Sequence, residues 1–540
     1  MTSTYQNPRY EFQLPAALHA AGPEGQRVVI AGGGVVGLTM ALELAWRGIA
    51  SVVLDEDDTV STGSRAICWA KRTLEIYGRL GLGKRFLEKG VTWSRGRVFF
   101  QDREAYGFDL LPELGHEYPA FVNLQQYYAE EWLVQACAAS GLVDMRWKTR
   151  VAGVESRADG ALLRLSTPAG DYRMQAEWLL ACDGARSTLR EALALPFLGQ
   201  VFRDRFLIAD VVMHADFPAE RWFWFNPPFH PGQSVLLHKQ PDNVWRIDFQ
   251  LGWDADPEAE KAPEKVTARV KAMLEGATGR PAPEFSLEWV SVYTFRCRRL
   301  EKFRHGRILF AGDSAHQVSP FGARGGNGGV QDVDNLGWKL AAVLRGAAPE
   351  SLLDSYDTER IPATDENILN STRATDFITP KNQAARAYRD AVLELAEAHA
   401  FARPLVNSGR LSRPAILGDS TLATPSTPAA LPLGAPAPDA PVMHAGQADW
   451  LLRHISADGG FCLLCFGDPP TSLPVGITSV VVRDSEQPAT LWDHAGLAAQ
   501  RYDARPGDCL LLRPDQHLAA RWHMPSTAEI AAAHRRALGY

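Results

Sequence analysis

The stretch RVVIAGGGVVGLTMALELAWRGIASVVLD, residues 27–55, predicts a buried strand, a glycine turn, a helix and a second strand that ends in a carboxylate. Gly32 permits the tight turn, Gly34 lets a pyrophosphate approach the bare backbone, and Gly37 allows close packing of helix on strand. The helix N-terminus offers N–H groups to phosphates, and Asp55 is placed to accept hydrogen bonds from a ribose. The unit indicates a Rossmann-like α/β domain that binds a dinucleotide.

Two more strands end in glycine-rich turns. One gives CDGARS at 182–187, and the other gives GDSAHQVSPFGARGGNGG at 312–329. Either could be a plain turn, because Asp-Gly is a common turn pair. A second GxGxxG after a strand is absent from the sequence. Three such strand ends in one chain favour a single large cofactor that touches all of them.

The set GGGVVG, CDGARS and GDSAH…P, in this order and spacing, resembles the FAD-dependent single-component aromatic hydroxylases. These class A flavoprotein monooxygenases are typified by para-hydroxybenzoate hydroxylase, phenol hydroxylase and 3-(3-hydroxyphenyl)propionate hydroxylase. The resemblance covers roughly residues 26–400. It implies an FAD-binding domain with an inserted β-sheet substrate domain, in an α/β (α+β) fold with long connecting helices.

The resemblance also implies roles for individual residues. Asp313 would hydrogen-bond the ribityl chain of FAD, and the loop from Pro320 to Asn327 would lie against the flavin ring. Arg65 would lie near the pyrophosphate and the moving flavin, and Gln126, chosen over its neighbour Gln125, would touch the ribityl–phosphate portion. The remaining implied cofactor residues are Asp183 (with Arg186), Gly312, Gly325, Gly326 and Asn327.

The chemistry implied is NAD(P)H- and O₂-dependent hydroxylation of a phenolic compound through a flavin C4a-hydroperoxide. NADPH or NADH is the transient co-substrate. Two alternatives stay open. WFWFNP at 222–227 is similar to the WxWxIP signature of flavin-dependent halogenases, with Asn226 in place of isoleucine. A flavin-binding redox protein without hydroxylase activity is the other.

Strand patterns over residues 196–299, with part of 90–120, predict a sheet that covers the flavin and binds the substrate. The candidate catalytic side chains are His238, Arg246 and Tyr293, with His238 as the group that assists phenol deprotonation, and the candidate substrate contacts are Trp222 and Trp224. An aromatic side chain on a strand is more often a core residue, and Arg246 could be part of a structural ion pair. Because the predicted pocket has few positive charges, and Arg246 could be tied to Asp248, we expect a substituted phenol held mainly by stacking and apolar contact, with a carboxylate optional.

The domain plan follows composition. Residues 1–25 form an N-terminal extension, 26–195 with 300–400 the FAD-binding domain, and 423–441 a Pro- and Ala-rich linker. Residues 442–540 resemble the C-terminal thioredoxin-like domain of phenol hydroxylase relatives. Cys462 and Cys465 have the spacing of a redox pair, but strand geometry would point them to opposite faces, so no redox motif is predicted.

Bulk properties exclude several classes of function. The 540 residues carry a net charge of −7 without a Lys/Arg-rich cluster, which gives no sign of nucleic-acid binding. No apolar run is long enough for a membrane span, and no signal peptide or metal site is evident. Seven cysteines fit reduced thiols in a cytoplasmic enzyme, and a homodimer is a further expectation.

Overall fold

The structure, a computed structural model, describes residues 4–20, 22–406 and 411–540. Its strands are β1 Glu24–Ala31, β2 Ser51–Leu54, β3 Cys68–Ala70, β4 Val91–Trp93, β5 Arg95–Phe100, β6 Arg103–Asp109, β7 Phe121–Asn123, β8 Val143–Arg146, β9 Arg150–Arg157, β10 Gly160–Thr167, β11 Gly170–Ala181, β12 Phe197–Met213, β13 Arg221–Phe225, β14 Ser234–Lys239, β15 Val244–Leu251, β16 Phe285–Leu300, β17 Arg304–His305, β18 Ile308–Phe310, β19 His316–Gln317, β20 Pro441–His444, β21 Gln447–Trp450, β22 Phe461–Phe466, β23 Ile477–Arg483, β24 Leu491–Trp492, β25 Asp508–Leu512 and β26 Leu518–His523.

Its helices are α1 Val35–Trp46, α2 Lys71–Arg79, α3 Gly83–Lys89, α4 Gln126–Ser140, α5 Thr188–Ala192, α6 Pro257–Glu260, α7 Pro263–Thr278, α8 Gly325–Leu344, α9 Asp354–Ile378, α10 Gln383–Ala398, α11 Arg403–Val406, α12 Leu497–Tyr502 and α13 Thr527–Ala537. None of the helices in these described ranges has both the length and the apolarity to cross a membrane.

The first sheet brings the three glycine-rich turns together. Its main strand order is β17-β18-β11-β1-β2-β8, and β1, β11 and β18 are parallel neighbours. Ala31 lies opposite Ala181, which lies opposite Phe310, so the turns that follow these three residues share one sheet edge. Carboxyl ends of parallel strands are where α/β folds bind ligands. The convergence expected from the sequence is therefore present.

The second sheet is built mainly from β12 to β16, which lie between β11 and β18 in the chain, and it also includes β5, β6 and β19. Its order is β19-β16-β12-β15-β14-β13-β5-β6. One face packs with α7 around Trp245, Ile247 and Val270. The other face packs around Phe206, Phe223 and Phe225, against residues of α9 and α10. Both faces of the second sheet are therefore covered, one by α7 and the other by α9 and α10.

The C-terminal sheet has the order β21-β20-β24-β23-β22-β25-β26. Cys462 belongs to the apolar cluster on one face and Cys465 to the cluster on the other, as strand alternation requires. The segment 423–441 is not detached from this sheet, because the Ala437 N–H donates to the Gln516 carbonyl and the Leu518 N–H to the Ala435 carbonyl.

A buried ionic cluster joins the C-terminal sheet to helices α8 and α9. Arg513 follows β25, and its Nη2 donates to Glu359 Oε2 of α9 at 3.0 Å while its Nε donates to Asp515 at 3.0 Å. Lys339 Nζ of α8 donates to the same Glu359 carboxylate at 2.6 Å. All of these side chains are buried. Separating the C-terminal sheet from α8 and α9 would therefore break buried ion pairs, which is energetically costly.

Candidate functional site

The glycine turn after β1 has the geometry expected of a phosphate cradle. Gly32 has φ of +102°, and a Cβ built on Gly37 would lie 1.9 Å from the Gly32 carbonyl oxygen. Helix α1 therefore packs directly on the turn, as only glycine permits. A Cβ built on Gly34 would meet nothing nearer than Glu130 Oε1, at 3.7 Å. Open space thus lies in front of Gly34, at the start of α1, where a pyrophosphate would bind.

Asp55, directly after β2, is bonded to the same turn. Its carboxylate accepts hydrogen bonds from the backbone N–H groups of Gly33 and Asp57. Burial raises the pKa of Asp55 to about 6 despite these two donors. The carboxylate keeps acceptor capacity beyond these bonds, which suits a ribose hydroxyl.

Two aspartates occupy the other strand ends. Asp183 Oδ2 accepts from the Leu189 N–H at the start of α5, at 3.0 Å, which is a capping role. Its Oδ1 is buried and has no partner among the described residues. Asp313 is half-buried after Gly312, and burial raises its pKa while the nearby charges of His316, Arg190 and Arg65 oppose that shift. Both carboxylates therefore have oxygens available for a polar ligand.

Arg65 and Gln126 lie next to each other across the mouth of this region. The Ala66 N–H donates to Gln126 Oε1 at 3.0 Å, and Gln126 Nε2 donates to Glu130 Oε1 at 2.7 Å. Arg65 is exposed, and its charge lowers the pKa of buried Glu130, which burial itself raises. Gln126 therefore reaches the Gly34 turn through Glu130, a residue that the sequence analysis did not single out.

The loop from Pro320 leads into α8, which begins at Gly325. The first backbone bond of this helix runs from the Gly328 N–H to the Arg324 carbonyl at 2.7 Å, so the three preceding N–H groups point beyond the helix end. Cβ atoms built on Gly325 and Gly326 would meet only ordinary contacts, at 3.7 and 3.6 Å. These N–H groups can donate to the electron-rich end of a flavin ring.

The Asn327 side chain has a structural role in the same helix turn. Its Oδ1 accepts from the Ala70 N–H at 2.9 Å, and its Nδ2 donates to the carbonyls of Cys68 and Ala323. The amide therefore fastens the start of α8 to β3. The backbone N–H of Asn327, and not its side chain, is the part available to a cofactor.

Arg246, on β15, is engaged by the protein itself. Its Nε donates to Asp248 at 2.9 Å and its Nη1 donates to the Arg65 carbonyl at 2.7 Å. The sequence left open whether Arg246 holds a substrate carboxylate or pairs with Asp248, and the structure contains the pair. Tyr293, on β16, is 43% exposed, and its pKa is raised to about 12, first by burial and then by the nearby Asp313 charge. Tyr293 thus lies close enough to Asp313, Arg246 and Arg65 for their charges to act on its hydroxyl.

His238, on β14, is buried opposite Arg246. Burial and the charges of Arg221 and Arg246 hold its pKa well below 6.5, and its Nδ1 is buried without a described partner. The imidazole is therefore neutral at physiological pH and a weak proton acceptor. The geometry gives no support to its predicted role in deprotonating a phenol.

A cavity of about 480 Å³ lies beside the loop that precedes α8. Phe321, Gly322 and Arg324 of that loop form one wall, so the cavity borders the segment expected to contact the flavin ring. The other walls come from the second sheet, from α9 and from the α10–α11 region; they include Arg97, Val98, Phe108, Arg221, Phe223, Phe225, Asn370, Arg373, Ala374, Phe377, Ile378, Tyr388, Pro404, Leu405, Val406 and Leu411.

Trp222 and Trp224 do not line this cavity. They pack on the opposite sheet face, where Trp224 stacks on Phe99 with ring centroids 5.0 Å apart and the Trp222 indole donates to Glu220. Successive residues of a strand point to opposite faces, so the cavity-facing aromatic side chains of β13 are Phe223 and Phe225. The cavity-facing residues of β13 are thus displaced by one position from Trp222 and Trp224, the expected substrate contacts.

The FAD binding domain model matches residues 26–371, well over half of the chain. The chain belongs to this FAD binding domain family. Over 538 residues it is 32% identical to the 6-methylpretetramide 4-monooxygenase of Streptomyces rimosus, covering 94% of this chain and 93% of that protein. It is 27% identical to the 3-(3-hydroxy-phenyl)propionate/3-hydroxycinnamic acid hydroxylase of Mycolicibacterium smegmatis, covering 92% and 90% of the two chains.

Solved structures agree with this family fold. The flavin-dependent monooxygenase PieE, in complex with FAD and substrate, superposes with a TM-score of 0.81 at 20% identity, covering 96% of this chain and all of that one. Aklavinone-11 hydroxylase with FAD and aklavinone gives a TM-score of 0.74 at 20% identity, covering 95% and 99%. The family member described here is thus an FAD-dependent aromatic monooxygenase, as the motifs predicted.

The region formed by the turns after β1, β11 and β18 and by the start of α8, called the flavin groove below, has features that fit FAD. It offers open space at Gly34, an unpartnered Asp183 oxygen, and the free N–H groups of α8. Membership in the family removes the support for a redox protein without enzymatic activity. It also leaves the halogenase alternative without support, because Trp222 and Trp224, the halogenase-like pair, are core residues.

Sequence reasoning missed Glu130 and the wall of the cavity. Glu130 follows Gln126 by four residues on one face of α4, which is a signal that could have placed it beside the pyrophosphate site. Arg221 begins the otherwise aromatic strand RWFWF, and a charge at the head of a buried strand is a comparable signal. The residues that α9 and α11 contribute to the cavity wall have no local sequence pattern that marks them as cavity residues.

Proposed function

We propose that this enzyme hydroxylates an extended phenolic compound, with NADPH or NADH as the electron donor and O₂ as the oxygen source. The observation that carries the proposal is the aromatic cavity on the loop before α8, the segment that also leads to the flavin groove. Its volume lies within the range of roughly 300–1,000 Å³ typical of sites for drug-sized ligands, well above the needs of one phenol ring. The 32% identity to a 6-methylpretetramide 4-monooxygenase supports the same substrate size.

FAD, when bound, supplies the redox chemistry that activates oxygen. The chain supplies binding and orientation: Asp55 and Glu130 border the dinucleotide turn, and Asp313 is placed to accept from a polyol hydroxyl. The N–H groups at the start of α8 would stabilise negative charge on the ring. Phe223, Phe225 and Phe321 would stack on the substrate and exclude water from it.

A substrate panel tests this proposal. FAD-loaded enzyme would be assayed for stimulated NADPH and NADH oxidation with single-ring 3-(3-hydroxyphenyl)propionate and with tetracyclic aklavinone, and the products identified by mass spectrometry. We expect stronger stimulation and tighter coupling with the tetracyclic phenol. A strict preference for single-ring phenols would contradict the proposed substrate size, and oxygenation of neither class would contradict the function.

The Phe223→Ala variant tests whether the substrate binds in the cavity. Truncation of this side chain should raise KM for the preferred substrate about tenfold or more, since a buried aromatic contact is lost. Phe249→Ala removes a buried aromatic ring from the other face of the same sheet and serves as the control for general destabilisation. Equal effects of both variants on KM would argue against the cavity as the substrate site.

Two further properties belong to the proposal. The seven cysteines are free thiols, which supports a cytoplasmic location. A homodimer is proposed as the assembly, and the native mass in solution, measured by light scattering, tests it. A monomeric mass across micromolar concentrations would contradict the dimer.

A further inference from the structure

Two buried arginines lie in the wall of the aromatic cavity. Arg221 and Arg324 both line it, and each residue is 8% exposed. Arg221 is the first residue of β13 and shares a strand face with Phe223 and Phe225. Its guanidinium carbon lies 5.7 Å from the Phe223 ring centroid. Arg324 immediately precedes α8, and its Nη1 donates to the Phe321 carbonyl at 2.9 Å. The two cations thus flank an apolar space.

The negative charge that would balance Arg221 is missing from the cavity wall. No Asp or Glu is found among the described residues that line it. Two other arginines of the same sheet have carboxylate partners: Arg246 pairs with Asp248, and Arg97 at the rim pairs with Glu104 and Glu220. Within the described part of the chain, Arg221 takes part in no ion pair. Arg221 is therefore buried without the carboxylate partner that these two arginines have.

The energetics of this arrangement favour an anion. Burial lowers the pKa of Arg221, and it lowers the pKa of Arg324 to about 10, with the positive charge of Arg221 adding to the second shift. Both pKa shifts mean that burial makes the charged guanidinium less stable here than in water. An incoming anion that hydrogen-bonds Arg221 recovers free energy, because a buried charge is stable when it is paired.

We propose that the substrate carries an anionic oxygen group, a carboxylate or an ionised phenol or enol, which Arg221 and Arg324 bind while the aromatic body fills the phenylalanine-lined space. This inference rests on the proposed function and names the substrate class of the same site. It goes beyond the expectation of a substituted phenol held mainly by stacking and apolar contact, for which a carboxylate is optional. If the anion is the ring oxygen itself, the two cations also make a general base such as His238 unnecessary, because they favour the ionised phenol.

Binding to the FAD-loaded enzyme tests the inference with matched ligands. Calorimetric Kd values would be measured at neutral pH for 6-hydroxy-2-naphthoate and its neutral carboxamide, and for 2,4-dinitro-1-naphthol, which is ionised at neutral pH, and its methyl ether. Arg221→Met keeps side-chain length and removes the charge. We expect this variant to raise Kd about tenfold or more for one or both anions, because a charge-assisted hydrogen bond is lost, and to change Kd for the neutral partners by less than about twofold.

Which anion loses affinity identifies the group that is held. Selective loss for the naphthoate assigns a carboxylate, and selective loss for the dinitronaphthol assigns the ring oxygen. Arg221→Lys should recover part of the affinity, since it restores charge without the planar fork. Equal effects on charged and neutral ligands, or none, would overturn the inference. Binding without turnover would contradict the proposed function and leave the charge preference standing.

Controls separate a binding role from a structural one. Arg95→Met removes an arginine from the strand next to β13 but from an exposed position outside the cavity, and we expect unchanged Kd values. FAD content and Tm of Arg221→Met should match or exceed those of the wild type, because an unpaired buried cation destabilises the fold. A fall in Tm with loss of FAD would instead identify Arg221 as a structural residue and overturn the inference.

Discussion

Open space lies in front of the Gly34 backbone. A Cβ built on Gly34 would lie 3.7 Å from Glu130 Oε1, the nearest atom. Gly34 has φ of −82°, which any amino acid can adopt. We therefore expect Gly34→Val to fold but to lose FAD, because its side chain would occupy the pyrophosphate position. The measurement is the flavin absorbance per chain after purification and after incubation with excess FAD, together with the circular dichroism spectrum.

Gly25→Val is the matched control for this variant. Gly25 lies near the start of β1, the strand that leads into the Gly34 turn, and a Cβ there meets nothing within 4 Å. It should bind FAD as the wild type does. A Gly34→Val protein that remains yellow with one FAD per chain would refute the assignment of this turn to the pyrophosphate.

Asp55 predicts a pH dependence of cofactor affinity. Its pKa of about 6 means that the carboxylate is ionised at neutral pH and becomes protonated as the pH falls through that value. The ionised form is the better acceptor for ribose hydroxyls, so FAD affinity should fall by up to about tenfold for each pH unit below 6. Asp55→Asn should flatten this profile, whereas Asp57→Asn should not. A profile unchanged by Asp55→Asn would contradict the ribose contact.

Helix α8 carries the next prediction, because its first turn contains the glycines that we propose face the flavin ring. A Cβ on Gly326 would lie 3.6 Å from the Ala66 Cβ, so the protein can accept a side chain there. We expect Gly326→Val to retain FAD but to slow reduction or hydroxylation by about ten- to hundredfold, since it displaces the ring from the helix N–H groups. Stopped-flow flavin reduction and product yield measure the effect.

Gly328→Ala controls for altered helix propensity, because its Cβ would make only ordinary contacts of 3.6 Å and 3.8 Å with His316 and Asn367. It should react at the wild-type rate. Wild-type turnover with fully coupled product in Gly326→Val would show that the flavin ring lies elsewhere.

Strand β13 shows why part of the site could not be predicted from sequence. The glycine turns were predictable because tight φ values and close approaches leave a residue-type signature, as at Gly32 and Gly37. In RWFWF both strand faces are largely buried, so apolar and polar residues do not alternate along it. The sequence therefore has no polar face that would fix which residues face the cavity. Sequence alone therefore does not decide whether Trp222 and Trp224 or Phe223 and Phe225 face the cavity. Their placement depends on register with β5 and β14, which is a long-range property.

The buried ionic cluster between the C-terminal sheet and helices α8 and α9 gives a prediction for the whole molecule. Arg513→Met would leave Glu359 and Asp515 buried with one cation fewer, and should destabilise the protein by about 3–5 kcal/mol. The exposed pair of Arg483 with Asp468 provides the control, since Arg483→Met should cost less than about 1 kcal/mol. Denaturant unfolding monitored by tryptophan fluorescence measures both. Equal stability of the two variants would contradict the role of the buried cluster.

The same cluster modifies an expectation about truncation. No cofactor motif lies beyond Gly329, so a chain ending near residue 425 keeps every FAD contact predicted from sequence. It would, however, expose the apolar surface of Trp338 that packs on the C-terminal sheet, and it would leave Glu359 paired with Lys339 but without Arg513. We therefore expect a low soluble yield, with FAD bound in whatever fraction folds. A soluble truncated chain with wild-type Tm would contradict this interdependence.

Oxygen transfer to an aromatic ring is the central claim, and isotope labelling tests it most directly. The FAD-loaded enzyme, supplied with NADPH, ¹⁸O₂ and the preferred substrate from the panel, should give a product that contains one ¹⁸O atom on the ring, as seen by mass spectrometry. The Gly34→Val protein should give none. Consumption of NADPH that yields only hydrogen peroxide, or a product whose new oxygen comes from water, would contradict the account.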